Sequence, residues 1–165
     1  MALSVSLIPG GVTTLGGTNE FSFTFWNNNY YWAAPFWAPK TFDVTKVAFN
    51  ITSVTGTPPA FDIGVYNPST SAFAPDFTSA VVATTTTPTT AEWHEVSLTA
   101  TSCTKGKLYF VGLKPNGTAS GSNTIAVSRQ WHSTWKIVGE TDSSNAGSSW
   151  NSSGLIYPFG VYESV

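Results

Sequence analysis

Hydrophobic and polar residues alternate along the segment 42–68 with a period of two, which is typical of half-buried β-strands. A turn-rich bridge containing Gly56 and Pro58-Pro59 divides the segment into two runs, since proline cannot donate to the ladder of a central strand. Each run places three apolar side chains on one face: Val47, Phe49 and Ile51 in the first, and Phe61, Ile63 and Val65 in the second. The pattern therefore predicts two strands that face one core.

Similar patterns predict further strands on either side of this segment. Phenylalanine alternates with Ser and Thr in residues 21–25, which predicts a strand with a phenylalanine face. The sequence WHEVSL at 93–98 turns Val96 and Leu98 inward. The sequence LYFVGL at 108–113 is apolar in both phases, so we expect this strand to be covered on both faces.

About eight or nine such strands, with no stretch of helical period, predict an all-β fold, and we expect a jelly-roll β-sandwich of antiparallel strands. An immunoglobulin-like sandwich is the alternative, and the lack of paired cysteines disfavours it. The length of 165 residues predicts one domain over 1–165. Glycine and proline interrupt residues 1–20, which we expect to form an extended arm or an edge strand.

Three segments are expected to be loops. Asparagines 27–29 favour a turn, and we expect the aromatic residues that follow, up to Trp37, to lie in or beside that loop. Pro75 and Asp76 predict irregular structure at 73–77. Ser, Thr, Asn and Gly dominate residues 139–154, which we expect to be one long loop.

The composition favours association with other subunits. Charged residues make up 10% of the chain, aromatic residues make up 15%, and the formal net charge is −2. Because soluble proteins have roughly 25% charged residues, neutral Ser and Thr must cover much of this surface, and we expect a homo-oligomer or a larger assembly. The seven basic residues, of which only Arg129 is arginine, are too few for the cationic surface that nucleic acids require.

The N-terminal sequence MALSVSLIPGG lacks the basic region of a secretory signal. No segment approaches the roughly 18 to 20 apolar residues of a membrane span. We therefore expect assembly in the cytoplasm in which the chain is made, without membrane contact. The single cysteine, Cys103, is typical of a small buried side chain and has no partner for an intramolecular disulfide.

The distribution of acids and histidines does not favour catalysis. The nine acidic residues are scattered along the chain, whereas a hydrolase needs two converging carboxylates. His94 and His132 are the only histidines, and neither zinc spacing nor a Ser-His-Asp arrangement is predicted. We interpret Glu140 and Asp142 as solvated acids rather than calcium ligands. The sequence thus predicts a protein without enzymatic activity, cofactor or metal ion.

Aromatic residues outside the regular alternation give the clearest functional signal. Such large amphipathic rings can fill a core, anchor a protein interface or stack on the apolar face of a sugar, and the sequence leaves these three roles open. The candidate partner- or glycan-binding residues form two groups on either side of the central segment: Trp26, Tyr30, Tyr31, Trp32 and Trp37, and Trp131, Trp135 and Trp150.

Two stretches carry a resemblance to a known class of modules. FDVTKVAFNITSVTGTPPAFDIGVY at 42–66 and AEWHEVSLTATSCTKGKLYFVGLKPNG at 91–117 resemble a jelly-roll module of bacteriophage virion and tail proteins, which is similar in layout to carbohydrate-binding modules. The resemblance implies a virion protein, and we expect a capsid decoration protein that binds the major capsid protein, another virion protein or sibling subunits. The alternative is a carbohydrate-binding module or receptor-binding tip.

Overall fold

The computed structural model describes residues 4–6, 20–24, 30–70, 75–116, 122–131, 139–142, 151–152, 155–156 and 159–163. These residues form thirteen β-strands and no helix, so the all-β prediction is confirmed. The strands, in chain order, are β1 (Ser4–Ser6), β2 (Glu20–Thr24), β3 (Tyr30–Trp37), β4 (Phe42–Thr55), β5 (Ala60–Pro68), β6 (Pro75–Thr86), β7 (Trp93–Cys103), β8 (Leu108–Asn116), β9 (Thr124–Trp131), β10 (Gly139–Asp142), β11 (Asn151–Ser152), β12 (Leu155–Ile156) and β13 (Phe159–Glu163).

The strands form two antiparallel sheets, as a β-sandwich requires. The six-stranded sheet has the order β11-β10-β3-β8-β5-β6. In the seven-stranded sheet the order is β1-β13-β4-β9-β12, with β2 paired to β9 and β7 paired to β4. The described residues contain more strands than the eight or nine predicted for two reasons. Strand β3 lies where a loop was expected, and β1, β10, β11 and β12 are only two to four residues long, too short for alternation to reveal them.

Strand β4 organises the seven-stranded sheet. Its first half pairs with β7 and β13, and its second half pairs with β9, with a register shift between Ile51 and Ser53. The shift is a bulge, which bends a long strand and lets one strand serve neighbours along different parts of its length.

The core between the sheets matches the predicted alternation. The six side chains predicted to face inward from β4 and β5 are all 1% exposed or less. Cys103 is also buried, as expected. Strand β8 is buried on both faces over 109–113, with Tyr109, Val111 and Leu113 in the main core and Phe110 in a second, smaller cluster.

The predicted loops at 30–37 and 73–77 are wrong in part. Residues 30–37 form β3, which pairs with β8 from Trp32 to Trp37 and with β10 at Tyr30, Tyr31 and Trp32. Pro35 lies beyond the β10 pairing, so its missing N–H falls where β3 has no second partner among the described strands. Residues 75–77 begin β6, where the prolines Pro75 and Pro68 face each other at the end of the ladder.

The predicted long loop near the C-terminal end is wrong in part. Strands β10 and β11 interrupt the predicted long loop at 139–154, because residues 139–142 pair with β3 as well as with β11. Of the predicted N-terminal arm, residues 4–6 form β1 against β13 and Glu20 begins β2. Residues 1–3 and 7–19 lie outside the described part of the chain.

Candidate functional site

The structure describes the side chains of three of the eight candidate residues. Trp26, Trp135 and Trp150 lie outside the described residues. Tyr30 begins β3 and Trp131 ends β9, where Trp131 pairs with Leu155. The three side chains whose surroundings are known all belong to β3: Tyr31, Trp32 and Trp37.

The alternation of β3 separates these three side chains. Trp32 points into the main core and is 0% exposed, so in this fold it contacts neither a partner nor a sugar. Tyr31 is half-buried on the outer face of the sheet. Trp37 lies at the end of the strand and is 64% exposed. The three residues therefore have three different environments and do not form one aromatic platform.

Tyr31 contributes to an aromatic cluster on the outer face of the six-stranded sheet. The ring of Phe77 stands edge-on to Tyr31 and to Tyr66, with centroid distances of 5.2 Å and 4.6 Å. Phe77 also lies over Gly112, where an added Cβ would come within 2.8 Å of Phe77 Cε1. Such edge-to-face packing is favourable for aromatic pairs. The cluster therefore covers this part of the outer face of the sheet and has a structural role.

Tyr66 is the least accessible polar group in this cluster. It is 1% exposed, and its hydroxyl has no hydrogen-bond partner among the described residues. Burial, with a smaller contribution from the charge of Asp62, raises the pKa of Tyr66 above its ordinary value. The phenol therefore stays neutral at physiological pH and is suited to packing rather than to proton transfer.

Trp37 stands beside the two connections that cross between the sheets at this end. Residues 38–41 lead from β3 to β4, and residues 104–107 lead from β7 to β8. The connections are joined by backbone bonds: the amide of Ala38 donates to the carbonyl of Lys107 at 3.0 Å, and the amide of Gly106 donates to the carbonyl of Ala38 at 2.8 Å. Two neighbouring crossings thus behave as one hydrogen-bonded unit.

Side chains complete this unit. The hydroxyl of Thr41 accepts a bond from the Lys105 amide at 3.1 Å, and the hydroxyl of Tyr109 accepts one from the Thr104 amide at 2.9 Å. The Thr104 carbonyl accepts a bond from the Lys107 amide at 3.2 Å, closing a turn in which Gly106 has φ +76°. The exposed indole therefore projects from a fixed support, which lowers the entropic cost of binding through it.

Trp93 is a second exposed indole that our sequence analysis did not include among the candidates. It begins β7, pairs with Asn50 and is 44% exposed. The signal was present in the alternation, since the phase that turns Val96 and Leu98 inward turns Trp93 outward. Because Trp93 is ten residues from Cys103 along β7, about 30 Å of strand separates it from the Trp37 end. The two exposed indoles cannot share one site.

The described reactive groups have structural partners. His94 stacks on Phe49 with ring centroids 5.5 Å apart, and its Nε2 lies 2.9 Å from the carbonyl oxygen of Thr90. Burial, followed by the charge of Asp43, raises the pKa of Cys103 to about 11, so little thiolate exists at neutral pH. Among the described residues, no three His, Cys, Asp or Glu side chains are grouped as metal ligands would be.

Asp62 faces outward from β5 and is held by three neighbours. Its Oδ1 accepts hydrogen bonds from Thr85 Oγ1 at 2.7 Å and from Asn116 Nδ2 at 2.8 Å. Its Oδ2 lies 3.7 Å from Lys114 Nζ. These contacts join β5 to both of its neighbouring strands, so Asp62 stabilises the sheet.

Comparison with known proteins adds no assignment. No known protein family matches the chain, and no curated protein is significantly similar to it. The described residues include no helix able to cross a membrane. The exposed indole of Trp37 on its hydrogen-bonded support is therefore the candidate site, and its interpretation depends on its geometry.

Proposed function

We propose that this chain is a non-enzymatic structural protein of a bacteriophage particle, most simply a capsid decoration protein that binds repeated subunits of the shell. The observation that carries the proposal is Trp37, which is 64% exposed beside two crossing connections that hydrogen bonds hold together. Tryptophan is enriched among the residues that dominate the energy of protein interfaces. An indole presented in this way is suited to filling a pocket on a partner.

The free energy gained by burying the Trp37 indole is sufficient for binding when the contact is repeated. Burying the exposed part of one indole contributes at most about 4 kcal/mol at 25 cal/mol per Å². A single contact of that size is weak after the cost of association. An assembled shell presents many identical sites, so oligomeric copies gain affinity from linked binding. The proposed location is therefore the virion, with assembly in the host cytoplasm.

We further propose that the sandwich is a jelly roll. Considering β2 to β9 as the eight principal strands, one sheet contains the order β2-β9-β4-β7 and the other contains β3-β8-β5-β6. Numbered one to eight, these orders are 1-8-3-6 and 2-7-4-5, the arrangement of two interleaved Greek keys. This order supports the resemblance of segments 42–66 and 91–117 to phage virion modules.

Carbohydrate binding is the second candidate function, and the same residue favours it. The face of an exposed indole can stack on the apolar face of a sugar ring, and the exposed Lys105 and Lys107 lie on the adjoining turn. In this alternative Trp37 binds a glycan at the tip of the particle instead of the shell.

A matched pair of variants distinguishes these functions. Trp37→Ala and Trp93→Ala each remove one exposed indole, at opposite ends of the molecule. We expect wild type and Trp93→Ala to co-sediment saturably with particles that lack this protein, and Trp37→Ala to bind at least tenfold more weakly. Sugar binding on a glycan array that depends on Trp37, without binding to particles, would replace the structural proposal with the second candidate.

A further inference from the structure

Strand β6 forms a free edge in the described part of the structure. It ends the order of the six-stranded sheet and pairs with β5 alone among the described strands. Its regular portion is Val82–Thr86, which pairs residue by residue with Phe61–Val65. Such an edge presents a row of unpaired backbone N–H and C=O groups to any strand that approaches.

The regular portion lacks the features that usually block edge pairing. No charged residue occurs from Phe77 to Ala91, and the first proline after Pro75 is Pro88. Natural sheets protect edges with lysine, proline, inward charges or bulges. A register shift opposite Val65 and Tyr66 provides a bulge near Val81, but Val82–Thr86 follows it without interruption. This five-residue edge is therefore competent to pair with another strand.

The adjacent edge of the other sheet is less suitable. Strand β7 pairs with β4 among the described strands, but three of its residues, Leu98 to Ala100, fall within a register shift. It also carries Glu95, whose Oε2 lies 3.4 Å from Lys46 Nζ. The interruption and the charges protect β7, so among the described strands β6 is the open edge on this side.

We propose that Val82–Thr86 pairs antiparallel with the same segment of a second copy of this chain. With the two-fold axis at Thr84, Thr84 faces Thr84, Ala83 faces Thr85, and Val82 faces Thr86. Thr–Thr pairs are favourable across strands, and none of these facing pairs brings like charges together. The two six-stranded sheets would then form one continuous sheet across an isologous dimer.

The absence of charge on this edge favours a second copy of the chain as its partner. Two identical strands without charged residues meet without repulsion, and the net charge of −2 per chain opposes their approach only weakly. A partner that relied on charge complementarity would find no charged group on Val82–Thr86. The edge lies three strands from β3, about 14 Å across the sheet, so dimerisation leaves Trp37 accessible. Dimerisation through β6 therefore does not depend on shell binding through Trp37.

The oligomeric state of the purified protein tests this interface. By analytical ultracentrifugation we expect wild type to have twice the 17.6 kDa monomer mass at micromolar concentration. Ala83→Lys, which places a charge on the exposed edge, is expected to raise the dissociation constant at least tenfold. Ala91→Lys makes the same change in the exposed loop beyond the strand and is expected to leave the dimer intact. A monomeric wild type, or a dimer equally stable in Ala83→Lys, would overturn the proposal.

A cross-link tests the register and does not depend on a disruptive variant. In the proposed dimer the two copies of residue 84 face each other across the axis, within the 4.4–6.8 Å between Cα atoms that a disulfide spans. Thr84→Cys is expected to form a disulfide-linked dimer under mild oxidation, whereas Thr57→Cys, in the bridge between β4 and β5, is expected to remain monomeric on non-reducing gels. Equal cross-linking of both variants would contradict the pairing.

Discussion

Trp32 and Trp37 differ in solvent exposure because their side chains have different neighbours. Both belong to β3, yet one is buried in the core and the other is 64% exposed. The sequence YYWAAPFW places aromatic residues in both phases of the alternation, so the pattern alone does not identify the inward phase. Only the pairing of β3 with β8 determines which phase faces the core. The sequence could therefore identify the candidate residues, but it could not separate the buried ones from the exposed ones.

Two glycines without space for a side chain test the packing of the outer face. At Gly64 an added Cβ would meet the Val82 carbonyl and lie 2.6 Å from the Ala83 Cα, both backbone atoms of the paired strand. At Gly112 it would meet the Phe77 ring at 2.8 Å and the Trp32 carbonyl at 3.1 Å. We expect Gly64→Ala to cost about 3 kcal/mol and Gly112→Ala about 1 to 2 kcal/mol in the free energy of unfolding, because a ring moves more easily than a strand.

Urea unfolding checks this order. Gly106→Ala is the comparison, since no atom lies within 4 Å of its added Cβ and only the positive φ opposes it. Its expected cost is about 1 kcal/mol. Equal stability of Gly64→Ala and wild type would show that β5 and β6 are not in close contact at this point.

The buried thiol of Cys103 predicts a loss of stability in alkali. Burial raises its pKa from 9.0 to about 11 in the folded protein. The neutral thiol therefore stabilises the fold fully below pH 9, and this contribution is lost as the pH rises from 9 to 11 and the unfolded thiol ionises first. By pH 10 wild type is expected to have lost roughly 1 kcal/mol more than Cys103→Ala, measured by urea unfolding at each pH. Parallel pH profiles for the two proteins would contradict the assigned burial.

Among the strands, those with strict alternation were predictable and those governed by pairing were not. Strands β4, β5 and β7 lie where the period of two placed them, and β8 lies where the short run that is apolar in both phases predicted a covered strand. The prolines of β3 and β6 argued for loops, but both occupy positions where a missing N–H disrupts little pairing. Strand β10 has no apolar face, and it forms because its backbone pairs with β3 and with β11.

A pair of tyrosines tests the hydrogen bonds of the crossing connections. Tyr109→Phe removes the acceptor of the Thr104 amide, and we expect a loss of about 1 kcal/mol and faster hydrogen exchange at that amide. Tyr66→Phe removes a buried hydroxyl that has no partner in the described part of the chain, so its stability is expected to equal or exceed that of wild type. A larger loss for Tyr66→Phe than for Tyr109→Phe would reverse the assigned roles.

For the whole molecule, the two-sheet architecture connects the proposals. Alternation predicted strands facing a common core, but it could not show that β4 pairs with β13 at the far end of the chain, or that 38–41 and 104–107 lie side by side. These long-range contacts place Trp37 at one end and Trp93 at the other. The β6 edge lies along one side, so shell binding and dimer formation would use separate surfaces.

The orientation of the bound protein tests the central claim most directly. A cryo-electron microscopy reconstruction of phage particles saturated with the protein is predicted to show it at symmetry-related positions, with the Trp37 end against the shell and the Trp93 end pointing away. Contact through the Trp93 end, or no ordered density on saturated particles, would contradict the proposed function.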